Sequence, residues 1–75
     1  MAQLRNTIAM KLVGENVKRV RLGRGLSQEA LANLSGIDWS TISRLERGVV
    51  NTSISVLYAL AEALDVKASS LLDGL

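Results

Sequence analysis

The chain has 75 residues, a formal net charge of +2, and neither cysteine nor histidine. This length corresponds to one small domain. Without Cys or His the chain can form no disulfide, no thiolate or imidazole metal site, and no Ser-His-Asp or Cys-His nucleophile. Its carboxylates are dispersed and form no close catalytic pair. We therefore expect neither an enzyme nor a cofactor or metal.

The charge is unevenly distributed along the chain. Residues 1–24 carry six basic side chains and one acidic one, a balance of +5, whereas residues 51–75 have a balance of −2. A basic end is typical of a protein that binds a polyanion, first a nucleic acid and second an anionic membrane surface. A solvated surface is the third interpretation, and the charge alone leaves all three open.

The apolar pattern excludes a membrane protein. No apolar run reaches spanning length, and the N-terminus lacks the features of a secretory signal, so we expect a cytoplasmic chain. The helix caps and glycine turns described below specify a globular bundle rather than a membrane-surface peptide, so we expect no membrane partner. Apolar residues make up 48% of the chain. This share is high for so small a domain and predicts some apolar surface left for a partner.

Helices are predicted throughout, because proline is absent and no stretch alternates with period two for long. The first helix runs through 13–25 and ends at its glycines. Residues 1–11 either extend this helix backwards past Gly14 or form a loose N-terminal arm. Residues 12–75 form the domain itself.

Two short helices follow the first. Ser27 is the predicted N-cap of the second helix, and Gly36 supplies the turn behind it. The predicted apolar face of this helix is Ala30, Leu31 and Leu34. Asp38 is the predicted N-cap of the third helix, 39–47, which Gly48 ends. At about 100° per residue, one arc of the third helix is mainly apolar: Thr41, Ile42 and Leu45. The opposite arc is small, polar and cationic: Ser40, Ser43, Arg44 and Arg47, with Trp39 at its border.

The last part of the chain predicts two more helices. Ser53 caps a fourth helix whose expected inward residues are Ile54, Leu57, Leu60, Ala61 and Leu64. Asp65 turns the chain, and a short fifth helix carries Leu71 and Leu72. The expected fold is all-α, with five helices.

Two short helices joined by a glycine turn, the second with an exposed Ser/Arg face, indicate a helix-turn-helix. The stretch GLSQEALANLSGIDWSTISRLERG, residues 25–48, resembles the DNA-binding domain of lambda repressor, Cro and the xenobiotic-response-element type of bacterial regulators. The resemblance extends over about residues 12–73. The small size and the ERG..NTSI junction also resemble the controller proteins of restriction–modification systems. Thr52 stands where the family often has proline.

The second helix of such a motif lies in the major groove with its N-terminal residues toward the bases. The expected base contacts are Trp39, Ser40, Ser43 and Arg44. Arg44 can hold guanine through O6 and N7. Trp39 keeps two interpretations: it lies against thymine methyls or sugar at the groove edge, or it packs across the rim against the second helix or the arm.

Backbone phosphates are the second expected partner. The candidates are Gln28, Arg47, Asn51, Arg24, Lys18 and Arg19. The resemblance implies that Gln28 bonds a phosphate and steadies a groove-facing side chain, and a helix N-terminus favours such an anion. Cations that end a helix, such as Arg24, also have a role without any ligand. For Arg21 and Glu46 the resemblance implies a structural ion pair.

One short helix reads only a few base pairs, so we expect a homodimer on a palindromic operator. The apolar C-terminal half supplies the expected interface: Val56, Tyr58, Leu71, Leu72 and Leu75. The expected function is sequence-specific transcription regulation on double-stranded DNA, as a bacterial or phage repressor or controller protein without a small-molecule ligand. An antitoxin-type or other protein-interaction module using the same domain is the alternative.

Overall fold

A computed structural model describes residues 5–75 of the chain. Its elements follow in the order α1 (Thr7–Gly23), α2 (Gln28–Ser35), α3 (Trp39–Glu46), α4 (Ile54–Leu64) and a 3-10 helix (Ala68–Leu72). The all-α class is confirmed, and residues 5–75 contain no strand. The predicted fifth helix is present as a 3-10 helix rather than an α-helix.

Each α-helix begins behind a side chain that caps it. The oxygens of Asn6, Ser27, Asp38 and Ser53 each accept a hydrogen bond from the backbone N–H three residues later. These bonds satisfy N–H groups that have no partner inside the helix. The caps of α2, α3 and α4 are those predicted from the sequence.

The first helix begins before residue 13, where its predicted range starts. The cap at Asn6 starts α1 at Thr7, so the helix extends back past Gly14 and includes residues 7–11. The remainder of the predicted N-terminal extension includes residues 1–4, which lie outside the described residues.

Every element contributes to the core. Each of the five contributes one side chain with 0% exposure: Val17, Leu31, Ile42, Leu60 and Leu71. Removal of this apolar surface from water is the main favourable term that holds so small a domain together. It also fixes the inward arc of α3, where Leu45 is 2% exposed beside Ile42.

Three apolar residues are placed differently from the sequence predictions. Ile54 is 85% exposed because it is the first residue of α4, one turn before Leu57, where that helix meets the core. Leu34, in the last turn of α2, is 62% exposed. Leu71 is fully buried because the 3-10 helix packs on α1 and α4, so it cannot belong to the predicted dimer interface.

Two glycines allow direct backbone contact between α1 and the end of α3. A Cβ atom on Gly14 would overlap the carbonyl oxygen of Leu45, and one on Gly48 would lie 2.8 Å from the Cα of Lys11. Gly48 also has a φ of +74°, a left-handed conformation that L side chains rarely adopt. The start of α1 is therefore held against the end of α3.

Candidate nucleic-acid interface

The described structure leaves the polar arc of α3 uncovered. Ser40, Arg44 and Arg47 are exposed, and Ser43 is half-buried. The Nε groups of Arg44 and Arg47 donate to the carbonyl oxygens of Ser40 and Ser43, at 3.3 and 3.4 Å. Each guanidinium is thus anchored one turn back along the helix, and its planar fork matches guanine edges and phosphates.

A hydroxyl network surrounds the cap of α3. The hydroxyls of Ser40 and Thr41 donate to the carboxylate of Asp38, and the backbone N–H of Thr41 donates to it at 3.0 Å. These bonds, with that from Ser40 the largest cause, lower the pKa of Asp38 from an ordinary 3.8 to about 2. The hydroxyl hydrogen of Ser40 is engaged, so Ser40 offers a base edge its oxygen lone pairs.

The lowered pKa of Asp38 predicts a pH dependence of stability. Because the folded-state value lies below the unfolded one, the ionised cap stabilises the fold above pH 3.8, and this contribution is lost as the pH falls through about 2. The Asp38→Asn variant keeps a capping oxygen but cannot titrate. From pH 4 to pH 2 we expect the melting temperature of the parent to fall more than that of the Asp38→Asn variant. Circular dichroism melts across this range measure it, and a difference independent of pH would contradict the assignment.

Four side chains form a hydrogen-bonded chain that ties both helices of the motif to α1. The indole Nε1 of Trp39 donates to Oε1 of Gln28 at 3.0 Å, and Nε2 of Gln28 donates to Oε1 of Glu46 at 3.0 Å. Glu46 accepts two bonds from Arg21, at 2.7 and 2.9 Å. The chain thus links the end of α1, the start of α2 and both ends of α3.

The Arg21–Glu46 pair lies at the buried end of this chain. The two side chains are 8% and 3% exposed, and Arg21 also donates to the carbonyl oxygen of Leu26 at 2.8 Å. The hydrogen bond to Glu46 raises the pKa of Arg21 above its ordinary value. A bidentate guanidinium–carboxylate contact fixes both distance and angle, so the pair sets how α1 meets the motif.

Trp39 combines features of both sequence interpretations. Its ring nitrogen is bonded to α2 through Gln28, as the rim interpretation requires. Its side chain nevertheless stays 51% exposed at the N-terminal end of the polar arc. The ring is therefore held by one edge and presents its remaining surface beside Ser40 and Ser43.

The remaining candidates for phosphate contact are Arg24, Arg19, Lys18 and Asn51. Arg24 donates to the carbonyl oxygen of Asp65 at 2.9 Å, which satisfies the carboxyl end of α4. Arg19 donates at 3.1 Å to Asn16, whose amide is itself bonded to the 3-10 helix through Leu71. These bonds give both arginines a role in the fold, both side chains remain exposed, and their phosphate contacts stay a prediction. Lys18 and Asn51 are exposed.

Sequence reasoning missed Asn16. This buried amide donates to the carbonyl oxygens of Leu71 and Asp73, at 3.1 and 2.9 Å, and so fastens the 3-10 helix to α1. The available signal was a polar residue directly before Val17, on the apolar side of the first helix.

Within residues 5–75, every helix is too short or too polar to span a membrane. The same residues contain no group of three or more His, Cys, Asp or Glu side chains that could hold a metal ion.

Comparison with known proteins places the fold in a family. Residues 17–71 match the Helix-turn-helix family HTH_3. The HTH-type transcriptional regulator y4dJ of Sinorhizobium fredii is 46% identical over 56 residues, which cover 75% of this chain and 73% of that protein.

Solved structures show the same arrangement of helices. The restriction–modification controller protein C.AhdI from Aeromonas hydrophila superposes with a TM-score of 0.80 at 40% identity, over 83% of this chain and 94% of that one. SinR, a regulator of Bacillus subtilis solved in complex with DNA, superposes with a TM-score of 0.78 at 35% identity, over 81% of this chain and 98% of that one. The chain belongs to the Helix-turn-helix family of lambda-repressor and Cro-like regulators.

Proposed function

We propose that the chain is a sequence-specific DNA-binding regulator that places α3 in the major groove of its operator. The observation that carries this proposal is the exposed hydroxyl and guanidinium arc of α3. An α-helix with its side chains is about 10–12 Å in diameter, and a major groove about 12 Å wide admits it. The SinR–DNA complex supports the proposal, because that protein shares the fold.

Base readout is assigned to four residues of the arc and its border: Trp39, Ser40, Ser43 and Arg44. Arg44 is the strongest reader, since a guanidinium can donate to O6 and N7 of one guanine. Ser40 and Ser43 are short enough for close approach and supply oxygen acceptors. Trp39 meets thymine methyls or sugar at the groove edge, in an orientation set by Gln28.

Phosphate contact belongs to the ends of the motif. Arg47 follows the last turn of α3, and Asn51 lies in the loop beyond it. Gln28 begins α2, where free backbone N–H groups and the helix dipole favour an anion. Lys18 adds a charge from α1. These contacts set the position of the protein on the duplex and do not choose the sequence.

The active form is a homodimer, because two half-sites give the discrimination that one short helix lacks. Leu72, Tyr58 and Leu75 are 41%, 59% and 67% exposed and remain candidates for the interface, with the half-buried Val56 at its edge. Ile54 joins them at 85% exposure. A second copy of the chain would cover this apolar surface.

Selection of bound duplexes from a random pool tests the proposal as a whole. The expected result is a palindromic consensus whose half-sites are about 34–36 Å apart, one turn of the double helix. A pool without enrichment would overturn sequence-specific binding. A consensus without two-fold symmetry would overturn the dimer and leave the groove-binding role of α3 standing.

Arginine substitutions separate base readout from phosphate contact. Arg44→Ala is expected to lose about 1–3 kcal/mol of discrimination at one base pair of each half-site, because only a base contact carries sequence information. Arg47→Ala is expected to weaken binding to all duplexes alike and to flatten the salt dependence. Affinities for single-base operator variants at several salt concentrations measure both effects. An Arg44→Ala variant with the base preferences of the parent would show that Arg44 is not a reader.

A further inference from the structure

The start of α1 and the end of α3 form one surface in this fold. Gly48, directly after the last turn of α3, meets the backbone of Lys11 at a distance that leaves no space for a side chain. The guanidinium of Arg5 donates to the carbonyl oxygen of the next residue, Val49, at 3.4 Å. Two cations from the N-terminal end of the described chain are thus attached to the segment that carries Arg47.

These cations are available to a ligand. Arg5, Lys11 and Arg47 are all exposed. The one ion pair found within residues 5–75 is that of Arg21 and Glu46, so none of these three cations is held in an ion pair there. Glu15 lies one turn after Lys11 on α1 and is the acidic residue nearest to them in sequence.

We propose that Arg5 and Lys11 form, with Arg47, a phosphate-binding flank that extends the DNA contact beyond the helix-turn-helix. This proposal rests on the proposed function and adds a contact to it. The ligand is the phosphodiester backbone along one wall of the groove that α3 occupies. Hereafter, Lys11 on α1 and Arg5, two residues before the first residue of α1, are called the α1 flank.

The geometry favours backbone over bases for the α1 flank. The N-terminal residues of a recognition helix face the base edges. Gly48 and Val49 follow the opposite, carboxyl end of α3, on the side that leads out of the groove toward the phosphates. Side chains attached to that end meet charge rather than base edges, and contacts of this kind carry no sequence information.

Salt dependence distinguishes this flank from a merely solvated surface. Each phosphate that a cation neutralises steepens the plot of log affinity against log salt concentration by about 0.9. The double variant Arg5→Gln/Lys11→Gln is therefore expected to lose about 1.8 of the slope of the parent for each protomer bound. Base preferences should stay those of the parent. Glutamine keeps the Cβ and Cγ atoms of Lys11, and Cγ is the side-chain atom that lies nearest to Gly48, so the fold is preserved.

Lys67→Gln is the matched control, because Lys67 is exposed, carries the same charge and lies beside Glu62 and Asp65. Its slope should equal that of the parent. A double variant with the parent's slope would overturn the proposed α1 flank. A control that flattens the slope by about 0.9 for each protomer, half the change expected of the double variant, would overturn it too. Altered base preferences in the double variant would overturn it as well. A parent that prefers no duplex would instead overturn the proposed function, and the flank with it.

Discussion

Glu46→Ala is expected to lower the free energy of unfolding by about 3–5 kcal/mol, the cost of leaving a buried charge without its partner. The Arg21 side chain, 8% exposed in the parent, would lose both bonds to the carboxylate. For a domain of this size such a loss is a large part of the total stability. Urea unfolding followed by circular dichroism measures it.

The control and the rescue make this prediction specific. Glu62→Ala removes an exposed carboxylate from α4 and should change stability by no more than about 0.5 kcal/mol. The double variant Arg21→Met/Glu46→Leu removes both charges and should recover much of the loss, since apolar replacement of a whole buried pair is often neutral. If Glu46→Ala were no more destabilising than Glu62→Ala, the pair would not hold the motif.

Loss of Glu46 should also disturb the proposed DNA-binding surface. Gln28 would lose the acceptor of its amide, and the orientation of Trp39 depends on Gln28. The stability and the groove-facing geometry of the motif are therefore carried by the same four side chains.

Gly48→Ala is expected to cost about 2–5 kcal/mol, the sum of a left-handed backbone penalty and an overpacked contact. A methyl group there would meet the Cα and Cγ of Lys11, each at 2.8 Å, and backbone cannot move aside as a flexible side chain can. Chemical denaturation of the two proteins measures the difference.

Gly25→Ala is the matched control for the backbone penalty alone. Gly25 has a φ of +70°, close to the +74° of Gly48, but no atom lies within 4 Å of its added Cβ. We expect it to cost only about 1–2 kcal/mol. The excess for Gly48→Ala then measures how tightly α1 is held against the end of α3. Equal losses for the two variants would mean that this contact is loose.

Local signals in the sequence predicted much of this fold. Ser27, Asp38 and Ser53 were identifiable as caps because their oxygens suit N–H groups at helix starts, whatever the tertiary structure. The two arcs of α3 followed from helical periodicity. These features are decided within a few residues of the chain, and so they can be predicted from it.

Features that depend on distant contacts could not be predicted in this way. Periodicity put Ile54 in the core, but no element covers the first turn of α4. The sequence places Leu71 in a predicted interface, whereas its burial is decided by the packing of the 3-10 helix on α1. The bond of Arg24 to Asp65 joins residues 41 apart in the chain, a pairing that no local pattern records.

The candidate site was likewise predictable where it depends on local pattern and not where it depends on packing. The sequence indicated which side chains form the exposed arc, whereas the bond from Trp39 to Gln28 and the position of Lys11 beside Gly48 required the packed helices. Arg5 and Lys11 carry no motif of their own, so only the fold could place them at the end of α3.

The half-exposed tryptophan has a practical consequence. The chain has one Trp, and its ring is fastened to α2 while lying on α3. Its fluorescence emission therefore comes from the junction of these two helices alone. A shift of that emission at a denaturant concentration where helical ellipticity is still intact would reveal separation of α2 from α3 without any attached dye.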